Sequence, residues 1–328
     1  MTSDIRALEE MLRAFFPDAD RIRVSEVMPL AGGWSAETVR VRATSETAAA
    51  TRSLDVVVRQ APADGLLAPY DLDRESKILT ALQGSPVPVP AVIGCDPAGR
   101  LLGQPCLVTE FVQGETLSFF GQSTAADDAR LPAYFAMLGT IHALDWADLG
   151  LDFLDDAEGT VEAELQRSQG KLAYHGGGGA TEREMLAWLQ SNMPAAGQKS
   201  MLHGDPNPAN YLFAGTQVAA VLDWELALLG DPRLDLGFFA AIQVAFGGTW
   251  GIDLASLLRG YAAANPDADL QHLDYFQAVG LYRLAAFLRA AERRRGMDVA
   301  ALWRNLSLTF EQIASGGSRG SFVQEPPS

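Results

Sequence analysis

The sequence predicts an α+β protein of two lobes, a small antiparallel sheet with one helix packed on it and then a mainly helical lobe. Three observations carry this reading. Short β-prone runs punctuated by glycine and proline crowd residues 1–112, and apolar residues at helical spacing dominate residues 113–314. The chain has 328 residues, 48% of them apolar, which exceeds what one small domain needs. A tail rich in Gly and Ser over residues 315–328 reads as disordered.

Taken in order, Ile5, Leu8, Leu12 and Phe15 recur at spacings of three and four, an amphipathic helix closed by Pro17 and Asp18. Residues 24–28, 38–43 and 55–59 are β-prone, and Gly32 and Gly33 separate the first two. Residues 73–82 have helical composition and stop at Gly84, Pro86, Pro88 and Pro90, because proline lacks the amide hydrogen a helix needs. Residues 107–112 read as a buried strand. In the second lobe Leu131, Phe135, Leu138 and Ile141 form one stripe, with Thr124 as N-cap and Asp127 three residues on. One β interruption is expected there, a hairpin from residues 211–213 through Gly215 and Thr216 to residues 218–222. The run Gly176 to Gly179 precedes a capping-box pattern, Thr181 with Glu184; a phosphate cradle is one reading and a mobile loop the ordinary one.

Net charge is −16, which argues against a nucleic-acid partner, since affinity for the phosphate backbone comes from clustered Lys and Arg. No apolar run is long enough to cross a bilayer, and the start MTSDIRALEE lacks a secretory pattern, so a cytoplasmic protein without membrane association is expected. In a reducing compartment Cys95 and Cys106 read as small core residues rather than a disulfide. Residues 131–166 contain no Lys or Arg but carry Asp145, Asp148, Asp152, Asp155, Asp156, Glu158, Glu162 and Glu164. That stretch reads as a solvated surface or as a rim attracting a cationic acceptor.

The chemistry concentrates in LHGDPNPANYLF at residues 202–213 and VLDWELA at residues 221–227. Phosphoryl transfer needs a carboxylate to orient the attacking hydroxyl and take its proton, plus hard oxygen ligands for Mg²⁺ beside the transferred phosphate. Asp205 suits the first task, Asn210 and Asp223 the second.

These segments resemble the aminoglycoside-phosphotransferase and choline-kinase-like superfamily, whose catalytic loop reads HGDxxxxN and whose metal segment reads DxE or DxD. The resemblance spans roughly residues 25–295 and implies a protein-kinase-like fold, ATP or GTP as donor and Mg²⁺ as cofactor. It implies Asp205 as catalytic base, Asn210 and Asp223 as metal ligands and His203 as structural. GDPRLDLG at residues 230–237 also looks like this family and makes Asp235 a buttress of the catalytic loop. Upstream, LAGGWS at residues 30–35 places Gly32, Gly33 and Ser35 in a glycine loop over phosphates, although Ala36 stands where relatives often have Asn. Arg59 falls where protein kinases carry their phosphate-binding lysine, in VVVRQAP, similar to the VLRxxP form, with Glu75 as its partner. A surface salt bridge is the ordinary alternative for that pair. Residues 109–112 resemble the hinge, where the C=O of Glu110 and the N–H of Val112 meet adenine.

Three classes of function compete. A kinase acting on a small-molecule hydroxyl fits best. A nucleotide-binding pseudokinase draws on Arg59 but leaves Asp205, Asn210 and Asp223 without purpose. A metal-dependent hydrolase using His203, Asp205, Asp223 and Asp231 conflicts with four histidines scattered without ligand spacing. For the acceptor, the acidic stretch suits an aminoglycoside or choline-like cation, whereas Arg283, Arg289 and Arg293 to Arg295 suit an anion, with Arg283 the candidate ligand. On a helix Arg283 and Arg294 share a face, with the uncharged Ala290 between them. VVVRQAP, DRESKILTAL and LYRLAAFLRAAERRRG resemble the kinase-like domains fused to acyl-CoA dehydrogenases, which implies a hydroxyacyl-CoA-type acceptor. Oligomeric state is left open.

Overall fold

Alternation builds the first sheet. Along Glu37–Glu46 (β2), Val39, Val41, Ala43 and Ser45 turn inward while their neighbours face out, the period of two that a half-buried strand requires. In the computed structural model residues 4–30, 37–61, 70–117, 124–155, 159–246 and 254–316 are described, and the chain divides into two units, Met1–Gln113 and Gly114–Ser328. The glycine-loop residues Gly32, Gly33 and Ser35 lie outside the described residues, as does nearly all of the tail.

In the first unit Ile5–Phe15 (α1) is capped by Asp4 and packs Leu8, Met11 and Leu12 on one face of the sheet. Arg21–Pro29 (β1), β2, Thr51–Gln60 (β3), Val92–Asp96 (β4) and Cys106–Glu110 (β5) pair antiparallel in the order β1-β2-β3-β5-β4. Leu72–Leu82 (α2), capped by Asp71, buries Leu72, Glu75, Ile78, Leu79 and Leu82. Strand β4 is absent from the expected order, because its five residues, four of them half-buried, follow a proline series and include Gly94. That glycine is required by packing: a Cβ there would lie 2.2 Å from Phe15 Cδ1. Cys95 and Cys106 sit on adjacent strands as free thiols.

The second unit begins with Ala125–His142 (α3), where Thr124 and Asp127 form a reciprocal capping box and Leu131, Phe135, Leu138 and Ile141 are buried. Val161–Tyr174 (α4), Ala180–Ser191 (α5), Ser200–Leu202 (β6), Tyr211–Ala214 (β7), Gln217–Val221 (β8) and Leu228–Gly230 (β9) follow. Arg233–Ala245 (α6), Leu254–Ala264 (α7), Leu273–Arg295 (α8) and Ala300–Ala314 (α9) complete it. The expected hairpin forms as β7–β8, and a second antiparallel pair, β6–β9, was not foreseen, since three-residue strands leave no periodicity to read. The capping box at Thr181 and Glu184 does not form. Helix α5 starts two residues earlier than that cap would place it, with Gly179 as the cap, and Glu182 Oε2 lies 2.8 Å from the position of a Gly179 Cβ. A carboxylate already occupies that helix start, which removes the phosphate-cradle reading.

Helices α6 and α8 cross at glycines. A Cβ at Gly237 would lie 2.2 Å from the backbone of Phe276, and one at Gly280 would lie 2.6 Å from Gly237 O. Gly280→Ala is therefore expected to lower the free energy of unfolding by about 1–3 kcal/mol through overpacking. Gly170→Ala, in α4 where nothing lies within 4 Å of the added carbon, is expected to raise it by roughly 0.5–1 kcal/mol. Urea denaturation of both variants checks the pair; equal effects would contradict the close approach.

Candidate functional site

Strand β6 delivers the chain into a loop, His203 to Asn210, and β7 and β8 return it to Asp223. The loop is fastened at both ends. At its start, Asp235 in the first turn of α6 accepts the backbone N–H of His203 at 2.8 Å and of Gly204 at 3.1 Å. Being buried and ionised, Asp235 can only accept, so the Nε2 of His142 at 3.2 Å carries the proton. The other His142 nitrogen then accepts from Tyr261 Oη at 2.7 Å. Burial alone would raise the Asp235 carboxyl, but the His142 hydrogen bond and the His203 contacts outweigh it and hold the group below its ordinary range.

At the other end, His203 Nε2 donates to Leu222 O at 2.8 Å, and Leu222 N donates to Asn210 O at 2.8 Å. Both bonds grip the residue before Asp223, so the loop and the strand end cannot shift independently. The Nδ1 of His203 is left to accept from Asp205 N at 3.3 Å, and Trp224 packs on the ring at 4.7 Å. Asn210 Nδ2 donates to Asp205 O at 3.0 Å and to its Oδ2 at 3.1 Å, which turns the amide oxygen away from Asp205. Tyr134 Oη holds Pro206 O at 2.5 Å from beneath. Two backbone positions are unusual. Gly204 has φ +78° and its missing Cβ would lie 1.9 Å from Leu226 O, while Asp223 adopts a left-handed φ of 63° rare for a residue with a side chain.

Electrostatics differ between Asp235 and Asp205. Burial first, then the nearby Asp223 charge, push the Asp205 carboxyl above its ordinary value, against the opposing pull of His203, Arg283 and the Asn210 hydrogen bond. Asp205 and Asp223 are thus close enough to repel.

Arg283 reaches the same loop from α8. Its Nη2 donates to Gly204 O at 2.5 Å, its guanidinium lies 4.0 Å over the Phe238 ring, and Nε is 3.9 Å from Glu164 Oε1. Farther along α8, away from this loop, Arg289 pairs with Glu182 and Glu292, and Arg293 donates to Tyr174 O. Asp231 is bound by Arg233 and by Gly197 N, so the four-residue hydrolase set does not assemble. Within the first unit, Arg59 Nη1 meets Glu75 Oε1 at 2.6 Å with side chains 14% and 3% exposed, a buried pair rather than a surface one. Glu110 ends β5 and accepts Ala91 N on its side chain at 3.2 Å; Val112 follows beyond the strand. Sequence reasoning missed His142 and Tyr261, and it counted Glu164 with the solvated acids although it is buried. A histidine one turn after Leu138 on an apolar stripe was the available signal.

The phosphotransferase enzyme family (APH) matches residues 26–269. The chain belongs to this family. Among curated relatives, Acyl-CoA dehydrogenase family member 11 of Rattus norvegicus is 30% identical over 308 residues, covering 90% of this chain and 36% of that protein. The chain spans between 18% and 39% of the length of the acyl-CoA dehydrogenase family relatives it matches. Homoserine kinase of Methylocella silvestris is 29% identical over 195 residues, 57% of each chain. Among solved structures, a Ralstonia eutropha JMP134 protein assigned as an aminoglycoside phosphotransferase superposes with a TM-score of 0.73 at 22% identity, covering 98% and 99% of the two chains. Choline kinase LicA of Streptococcus pneumoniae gives 0.61 at 12% identity, covering 95% and 98%. The small antiparallel sheet and the helices thus have the protein-kinase-like fold of the phosphotransferase family.

Opposite pKa shifts predict opposite stability effects in this chain. Asp205→Asn is expected to raise the thermal midpoint at pH 7, since its charge is held against burial and repulsion. Asp235→Asn is expected to cost about 1–3 kcal/mol at pH 7. A depressed carboxyl stabilises above its unfolded value, near 3.9, and that stability is lost as pH falls through the lower folded value. The gap between wild type and Asp235→Asn should therefore narrow below about pH 4. Calorimetric melts across pH check both signs.

Proposed function

We propose that the chain transfers the γ-phosphoryl group of ATP or GTP to a hydroxyl of a small molecule, with Asp205 as the base. The observation that carries this reading is the fixed carboxylate: Asn210 and His203 orient Asp205 while Asp223 stands within electrostatic reach. A base must point at one proton and sit near a pKa that lets it accept, and a raised carboxyl serves that end.

Magnesium fits the donor set. With its nitrogen on Asp205, Asn210 has a carbonyl oxygen to offer, and Asp223 adds a carboxylate, the one or two hard ligands that Mg²⁺ takes beside phosphates. A divalent cation would also relieve the repulsion that raises Asp205. When bound, the ion neutralises charge on the donor's phosphates. In this reading Arg59, oriented by Glu75, holds phosphate oxygens; Gly32, Gly33 and Ser35 cover them; and the Glu110 C=O and Val112 N–H meet the base. Fold neighbours crystallised with GDP, AMP and ADP support a nucleotide donor.

For the acceptor, a hydroxyacyl-CoA-type alcohol is favoured by the likeness to acyl-CoA dehydrogenase family members and by Arg283 at the loop. Arg283 already binds Gly204 O, so its role is to hold the loop as well as to set a positive field that opposes a polycation such as kanamycin, which one fold neighbour binds.

With γ-labelled ATP, wild type is expected to phosphorylate 3- or 4-hydroxyacyl-CoA and not kanamycin-type aminoglycosides. Asp205→Asn and Asp205→Ala should each lose at least about 100-fold in turnover with little change in nucleotide affinity. Undiminished turnover in both removes the base; efficient aminoglycoside phosphorylation removes the acceptor class.

A further inference from the structure

Helices α4 and α8 pack together and carry a row of cations that phosphoryl transfer itself does not use. Arg283 begins it beside the catalytic loop. Next, Lys171 Nζ lies 4.9 Å from the centre of the Phe287 ring. Arg293 Nη1 donates to Tyr174 O at 3.2 Å and stands 3.3 Å from the position of a Gly176 Cβ. Burial first, then Arg294, Arg293 and Lys171, hold the His175 imidazole below its ordinary value, so three cations converge on one ring. Burial and then Arg283 likewise pull the Lys171 ammonium down, with Glu164 opposing them. Of the nearby carboxylates, Glu182 and Glu292 are taken by Arg289, and Glu164 is buried at the Arg283 end; burial alone would raise Glu164, but Arg283 and Arg167 hold it low.

Gathering like charges costs free energy, and a positive row in a protein of net charge −16 is a favourable seat for an anion. Beside the cations, the Tyr174 ring is 71% exposed and meets His175 edge-on at 4.9 Å, an open aromatic face next to positive charge. Arg283 and Arg294 share a face of α8, and between them the axis advances roughly 16 Å at about 1.5 Å per residue.

Resting on the phosphotransferase reading above, we infer that this row is an acceptor-binding track. It takes an acceptor whose phosphates sit on Lys171, Arg293 and Arg294, whose aromatic ring lies on Tyr174, and whose flexible arm carries the hydroxyl to Asp205. The ligand class is a phosphate-bearing carrier thioester with an arm of about 15 Å, matched to the length of the track. Inorganic polyphosphates share the charge but lack the arm and the ring.

Calorimetry on the full chain saturated with MgADP, which blocks the donor site, measures binding of coenzyme A, pantetheine and inorganic pyrophosphate. Coenzyme A is expected to bind more tightly than either fragment. Lys171→Gln with Arg293→Gln should weaken it at least about tenfold, as expected for loss of two charge-assisted contacts, and leave pantetheine unchanged. Tyr174→Ala, at an exposed position, should weaken coenzyme A but not pyrophosphate. Coenzyme A that fails to bind, binds no tighter than pyrophosphate, or ignores the double variant overturns the track. Efficient phosphorylation of a hydroxyacyl-pantetheine at the KM of its coenzyme A ester overturns it too, while leaving the phosphotransferase reading intact. Variant-sensitive coenzyme A binding without any ATP-dependent turnover would do the reverse.

Discussion

One buried carboxylate organises the second unit. Asp235 sits at the start of α6 and takes the N–H groups of His203 and Gly204, the two residues ahead of Asp205. The group is 1% exposed, so an ionised carboxylate survives there only because two backbone donors and His142 surround it. His142 comes from α3 and is itself fixed by Tyr261 of α7, which makes the loop from His203 to Asn210 the point where three helices are tied. Without that anchor, the left-handed turn at Gly204 would have no reason to persist, and Asp205 would lose its direction.

From this constraint the rest follows outward. His203, held by its backbone, is free to use its ring as a strut: one nitrogen grips Leu222 O and the other accepts from Asp205 N. The strut transmits the position of α6 to the strand end that carries Asp223. Two aspartates a short distance apart therefore meet opposite fates. Asp235 is surrounded by donors and stays ionised, whereas Asp205 is pushed up by burial first and then by Asp223, the arrangement expected when one carboxylate is structural and the other reactive.

Much of this was legible before the structure because it lies in short, local patterns. HGDPNPAN and VLDWE are contiguous stretches whose polar residues need only one loop and one hairpin to meet, and the hairpin turn at Gly215 and Thr216 is visible in composition. Arg59 and Glu75 were legible as a strand residue followed by a helix residue, and the structure joins them at 2.6 Å. What escaped depends on contacts between residues far apart in the chain. His142 and Tyr261 lie 119 positions apart, and no periodicity links either of them to Asp235, which the GDPRLDLG run had already marked. The strands β6 and β9 have three residues each, β4 is interrupted by a glycine that exists to admit Phe15, and Glu164 looks like any surface acid until Arg283 is placed beside it.

The central claim is that Asn210 and Asp223 present a magnesium-dependent nucleotide site to a base fixed by Asp235. Calorimetric titration of nucleotide in the presence and absence of Mg²⁺, on wild type and on Asp223→Ala, tests it most directly. Wild type should bind nucleotide tightly only with Mg²⁺, and Asp223→Ala should lose that metal dependence together with most of its affinity. Wild-type affinity with full Mg²⁺ dependence in Asp223→Ala would contradict the account.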